Sequence, residues 1–255
     1  LPAAGGRSAE SIIEVKNNAI AYFQSQQRAV TKDDYITRVY ALPPKYGNVA
    51  KAYVVQDSQL DSKSGANSDA RIANPLALNM YLLGFDANKR LTTVNQAVKE
   101  NIQTYLTQFR MVTDAVNIKN AFVINIGVKF NLLTKVGYNK DEVVLRAIEV
   151  VKNYFNIDNW QIGQPIVLAD LAYQLSLVDG VSAVSPPEED NPNGHPVLIT
   201  NKFKVSGGYS GNAYDMVSAT KDGVVYPSLD PSCFELKFPN IDIEGRVVGN
   251  TSGGN

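Results

Sequence analysis

Chemistry in a protein begins with the residues able to do it, and here they are few. His195 is the only histidine and Cys233 the only cysteine among 255 residues. A serine triad built on His195 would need a nucleophile motif near it. The histidine instead sits in "PNGHP", a turn-forming run with no G-x-S-x-G in the chain, and reads as an exposed loop residue. One Cys and one His do not build a conventional zinc site. The acidic run Glu188–Asp190 lacks the spaced carboxylates and glycine of a calcium loop and reads as a solvated turn. "SGGYSGNAY", Ser206 to Tyr214, is rich enough in glycine to cradle a phosphate. It lacks the Lys-Ser/Thr of a P-loop and a following helix, so a flexible turn or bulge is the better reading. Cys233, in the strand-like "SCFELKF", reads as a small core residue. No pair of carboxylates singles itself out for glycoside hydrolysis. The expectation is no catalytic residue, no cofactor and no metal.

Composition restricts the partners. Net charge is −1, the isoelectric point is near 5.9, and no basic stripe stands out, which argues against nucleic acid. The longest apolar runs, such as "AFVINIGVKF", are too short to span a bilayer. A single cysteine fits a reducing compartment. The chain opens on Leu1 rather than Met, the pattern of a fragment or a processed product.

Three amphipathic helices are expected at 11–26, 93–109 and 140–155. The first carries Ile12, Val15, Ala19, Tyr22 and Phe23 on one stripe. Thr93 opens the second, with Val94, Val98, Ile102, Tyr105 and Phe109 inward. Asn139 caps the third, with Val144, Ile148, Val151 and Phe155 inward. A shorter helix starts at Thr31, where Asp34 three residues on completes a variant capping box, and Pro43 and Pro44 stop it. Strands are expected at "NVAKAYVVQ", "LALNMYLLGF" and, most clearly, "AVNIKNAFVINIGVKFNLL". Between the first two lies "DSQLDSKSGANSDAR", a surface loop. After Pro187 only short β-like pieces remain, closing on "GNTSGGN". The fold class is α+β: small α/β units with mixed sheets, then a β-rich C-terminal region. The expected division is 1–118, a β-α-β-α-β unit at 119–186, and 187–255.

"GGRSAES", a helix, then Arg28-Ala29-Val30-Thr31 and Asp34-Tyr35, and the "ALPPKYGNVAKAYVV" that follows, resemble the baseplate J-like family. Its members are baseplate wedge proteins of contractile-tailed phages, T4-like bacteriophages among them, and of related injection machines. The likeness covers about the first 55 residues, and the unit ending in "LVDGVSAV" is similar to the family's layout. It implies a structural virion protein and no catalysis. Such a late protein would reside in the viral tail baseplate, after viral tail assembly in the host cytoplasm. It would self-associate as a homodimer, join wedges into a ring around the tail hub, and rearrange when the sheath contracts. Its partners would be itself and other wedge proteins, with no nucleic acid and no membrane. Under that reading Pro43 to Gly47 is a corner that aims a strand. The alternative is a carbohydrate-binding or carbohydrate-processing tail protein, with Tyr209, Tyr214 and Tyr226 as a stacking face. Elemental analysis of the native protein is expected to return no stoichiometric metal; a stoichiometric one would refute the reading of the His and Cys positions.

Overall fold

Two antiparallel strands that alternate apolar residues need a covering layer, and the capped helix between Thr31 and the double proline supplies it. The computed structural model describes residues 12, 15–16, 19–20, 23, 28–43, 46–56, 77–112, 114–187, 191 and 194–250. The expected loop after Gln56 and the C-terminal tail lie outside them. So does most of the 11–26 helix, although its six described residues have helical backbone. The fold is α+β, in two compact units: one comprises residues up to Phe122 with Leu229–Pro231, the other Val123–Ser228 with the residues from Ser232 onward.

In the first unit, helix α1 (Lys32–Tyr40) starts at the expected box: the Asp34 N–H donates to Thr31 Oγ1, and the Thr31 N–H donates to the Asp34 carboxylate at 2.9 Å. Partial burial disfavours the Asp34 charge, but N–H groups of Thr31 and Val30 outweigh it and hold the carboxyl below its usual range. Strand β1 (Lys51–Gln56) pairs antiparallel with β2 (Ala77–Phe85), with Tyr53 opposite Tyr81. A short β3 (Leu91–Thr92) turns back onto the end of β2, and β4 (Ala115–Asn120) runs parallel to β2 on its other edge. Helix α2 (Gln96–Leu106) makes the crossover.

The first helix cap in this unit agrees with the sequence and the second does not. Asn95, not Thr93, caps α2: its backbone is extended and its Oδ1 accepts the Val98 N–H at 2.9 Å. Asn is the stronger cap, which moves the start two residues on. Tyr35, Val39, Val54, Met80, Leu82, Ile102 and Leu106 form the centre of the core. Arg38 is fully buried beside them, its guanidinium 4.3 Å from the Phe109 ring centroid. The Ala52 N–H donates to Tyr40 Oη, tying α1 to β1.

In the second unit, β5 (Phe122–Thr134) is the axis. "AVNIKNAFVINIGVKFNLL" is not one strand: it breaks at Ala121, where β4 ends and β5 begins, and the two halves belong to different sheets. Strands β7 (Val181–Ser185) and β8 (Val197–Asn201) pair antiparallel with β5, β12 (Ile243–Asn250) pairs parallel, and β11 (Ser232–Glu235) joins the same sheet. Helix α3 (Lys140–Tyr154) covers one face and is capped by Asn139. Its inward line is Val143, Ala147, Val151 and Phe155, one residue earlier than expected at its start, with Val144 and Ile148 at the flank. Small Ala147 at the centre lets the helix approach the sheet closely.

Strand β6 (Ile166–Val167) and helix α4 (Leu168–Ser176) supply a strand and a helix of the expected β-α-β-α-β unit, but β6 does not join β5. It pairs with β10 (Val224–Val225), which pairs with β9 (Thr220–Lys221), in a separate small sheet. Residues 187–255 therefore do not stand apart, because β8, β11 and β12 complete the sheet of β5. Among the described residues they hold two single-turn α-helices, α5 (Met216–Ala219) and α6 (Pro239–Asp242).

Of the expected corner at Pro43 to Gly47, Pro44 and Lys45 lie outside the described residues. Gly47 has φ +133°, and a Cβ there would lie 2.5 Å from a Val98 methyl on α2. The Asn101 amide also donates to the Tyr46 carbonyl at 3.0 Å. Gly47→Ala is expected to lower stability by about 2–3 kcal/mol through backbone strain and the clash with Val98. Denaturant melts check this, and an unchanged midpoint would show that the corner is not held here.

Candidate functional site

Alternation along β5 and β12 sorts side chains between two faces of one sheet. Val128, Phe130 and Leu132 are buried on the face covered by α3. Gly245 fits beside them because a Cβ there would come within 2.7 Å of the Phe130 ring and 3.4 Å of Val144. Lys129 and Asn131 on β5, with their register partners Glu244 and Arg246 on β12, must then point to the opposite face. There, Lys129, Asn131, Pro187, Glu244, Arg246 and Val248 line a groove of about 270 Å³.

Its electrostatics are lopsided. The Glu244 carboxylate lies 3.1 Å from Lys129 Nζ and 3.8 Å from Lys202 Nζ, all three side chains about one-third exposed or less. Two lysines thus share one carboxylate, and exposed Arg246 adds a third cation. Pairs at such exposure contribute little to stability. Among the described residues, three cations thus stand near one carboxylate. The sequence signal for this groove was present but weak: Lys129 and Asn131 interrupt an apolar strand at period two, and "EGR" does the same on β12.

The residues singled out by type are dispersed. His195 is half-buried rather than exposed. Its N–H and C=O are both held by the Asn191 side chain, at 3.2 and 2.7 Å. Beside it is a cavity of only about 30 Å³, lined by apolar residues such as Leu168, Val197, Met216 and Val225. Cys233 is 1% exposed in β11, a core position. Glu188–Asp190 lie outside the described residues. Among the described residues no group of three or more His, Cys, Asp or Glu is placed to hold a metal, and no helix is long and apolar enough to cross a membrane.

"SGGYSGNAY" spends its polar groups internally. A 3₁₀ turn at Val205–Gly207 ends on left-handed Gly208. The Ser210 N–H then donates to Asn125 Oδ1 at 2.8 Å, and Ser210 Oγ and Asn212 Nδ2 donate to the Val123 carbonyl. One backbone N–H and two side chains thus pin the run to β5, and the Tyr214 N–H ties it to Asn201 on β8. Two of the three tyrosines are engaged: Tyr209 Oη donates to Asp242 at 2.5 Å, and Tyr214 Oη donates to the Tyr226 carbonyl at 2.8 Å, while Tyr226 itself is 49% exposed. Tyr209 packs edge-on against Phe238, and Tyr214 packs against Phe234.

Burial, then the Asp242 hydrogen bond and charge, push the Tyr209 hydroxyl up to about 12 from an ordinary value of 10.0. A folded-state value above the unfolded one favours the native state fully below pH 10 and loses that contribution as pH rises through about 12. Stability of the native protein should therefore fall more steeply across that interval than stability of Tyr209→Phe. Equal slopes in urea melts would contradict the Tyr209–Asp242 contact.

No family model matches the sequence, and no curated protein matches it. Among solved structures, the chain is similar to one in the "Cryo-EM structure of the anti-feeding prophage (AFP) baseplate, 6-fold symmetrised", with a TM-score of 0.56 and 12% identity. The superposition covers 91% of this chain and 43% of that one, so the chain spans less than half the length of its structural neighbour. At that identity the likeness is one of fold.

Proposed function

We propose that the chain is an architectural subunit of a contractile-tail baseplate, a wedge protein of the baseplate J-like family without catalytic turnover. The observation that carries the reading is the fold likeness along 91% of the chain to a chain of the AFP baseplate. The residues from Gly5 to Tyr35 that resemble the family also support it. In this role the chain pairs with a second copy and with other wedge proteins, joins wedges into a ring, and rearranges on sheath contraction. Its place is the tail baseplate of the virion, assembled in the host cytoplasm.

Self-association has a physical basis in the first helical segment. Ile12, Val15, Ile20 and Phe23 are 87%, 49%, 48% and 87% exposed, at spacings that put them along one helical side. Four large apolar side chains left in water favour burial at roughly 25 cal/mol per Å², and an isologous contact lets one stripe cover its copy. A specific dimer of this kind buries more than roughly 1,000 Å².

Sedimentation equilibrium at micromolar concentration is expected to show a dimer. Replacing Ile12 and Phe23 together by serine should weaken it by about tenfold or more. A native chain that stays monomeric throughout would remove self-association from the role.

A further inference from the structure

We propose that the outer edge of β12, with the basic groove beside it, takes an acidic extended segment of another protein as an added strand. Among the described strands β12 pairs with β5 alone, so no described strand runs along its far edge. The register with β5 is regular from Ile243 to Val247 and shifts between Val247 and Gly249. A guest strand would find a regular ladder over that stretch and a bulge that ends it.

The side chains beside that edge select the guest. Glu244 and Arg246 stand on the groove face, and Val248, 53% exposed at the register shift, lines the same groove. Glu244 is already shared by Lys129 and Lys202. Among the described residues, three cations against one carboxylate leave a surplus of two positive charges. A guest whose groove-face side chains are acidic and apolar in turn places an acid next to Arg246, and its next groove-face side chain, apolar, reaches Val248. Opposite charges and apolar pairs side by side are what stabilise neighbouring strands. The inference names a partner chemistry and stands whether or not the baseplate reading does, since it is measured on the chain alone.

The test is fluorescence anisotropy with a labelled synthetic peptide of about eight residues, threonine alternating with glutamate and valine. Saturable binding is expected, weakened about tenfold or more by Arg246→Glu in the protein. A peptide N-methylated at alternate amides should lose affinity to a similar degree, because it cannot form the ladder. The same peptide with lysine for glutamate should not bind. No binding of the acidic peptide, equal binding to Arg246→Glu, or undiminished binding of the N-methylated peptide would overturn the proposal. So would tighter binding of an oligothymidylate, which would assign the groove to phosphate chemistry instead.

Discussion

Everything in the second unit depends on keeping β5 satisfied. The strand is 13 residues long, paired along both edges and covered by α3, so each polar group inside it must find a partner from neighbouring chain. Asn125, fully buried, shows how this is met. Its amide donates to Glu235 at 2.7 Å, its Oδ1 accepts the Ser210 N–H, and its carbonyl accepts the Lys202 N–H and the Asn201 amide. One side chain and its peptide thereby fix β11, the loop after β8 and the glycine-rich turn. Leaving any of those groups unpaired inside the sheet costs on the order of 1–3 kcal/mol each, which is why a segment so rich in glycine and asparagine holds one conformation.

The same economy describes the tyrosines. Tyr35, Tyr138, Tyr209 and Tyr214 each bond a carboxylate or a carbonyl of the chain itself. Hydroxyls committed this way join elements together rather than present donors to a sugar. Among the described residues, the groove over β5 and β12 is a polar surface where cations outnumber carboxylates.

What was legible in the sequence was what is decided within a few residues. Thr31 with Asp34, and Asn139 ahead of α3, are contacts across one helical turn, so their residue types announce them. The start of α2 was misplaced because Thr93 and Asn95 are both capping residues, and only the extended backbone at Asn95 chooses between them. Partner choice among strands was not legible. Nothing near Ile166 says that it pairs with Val225 rather than with β5, and nothing near Pro187 says that the strands beyond it return to β5. The groove was only faintly legible for the same reason: polar residues interrupt each strand at period two, but Lys129 and Glu244 are distant in sequence and meet only through the parallel pairing of β5 with β12.

The central claim is that the chain is built into a baseplate. Electron microscopy of purified contractile-tail particles from the source genome, decorated with an antibody fragment raised against this chain, tests it directly. The account predicts label at the baseplate end of the tail, repeated around its axis. Label confined to the sheath or the head, or intact particles that contain none of the chain, would contradict it.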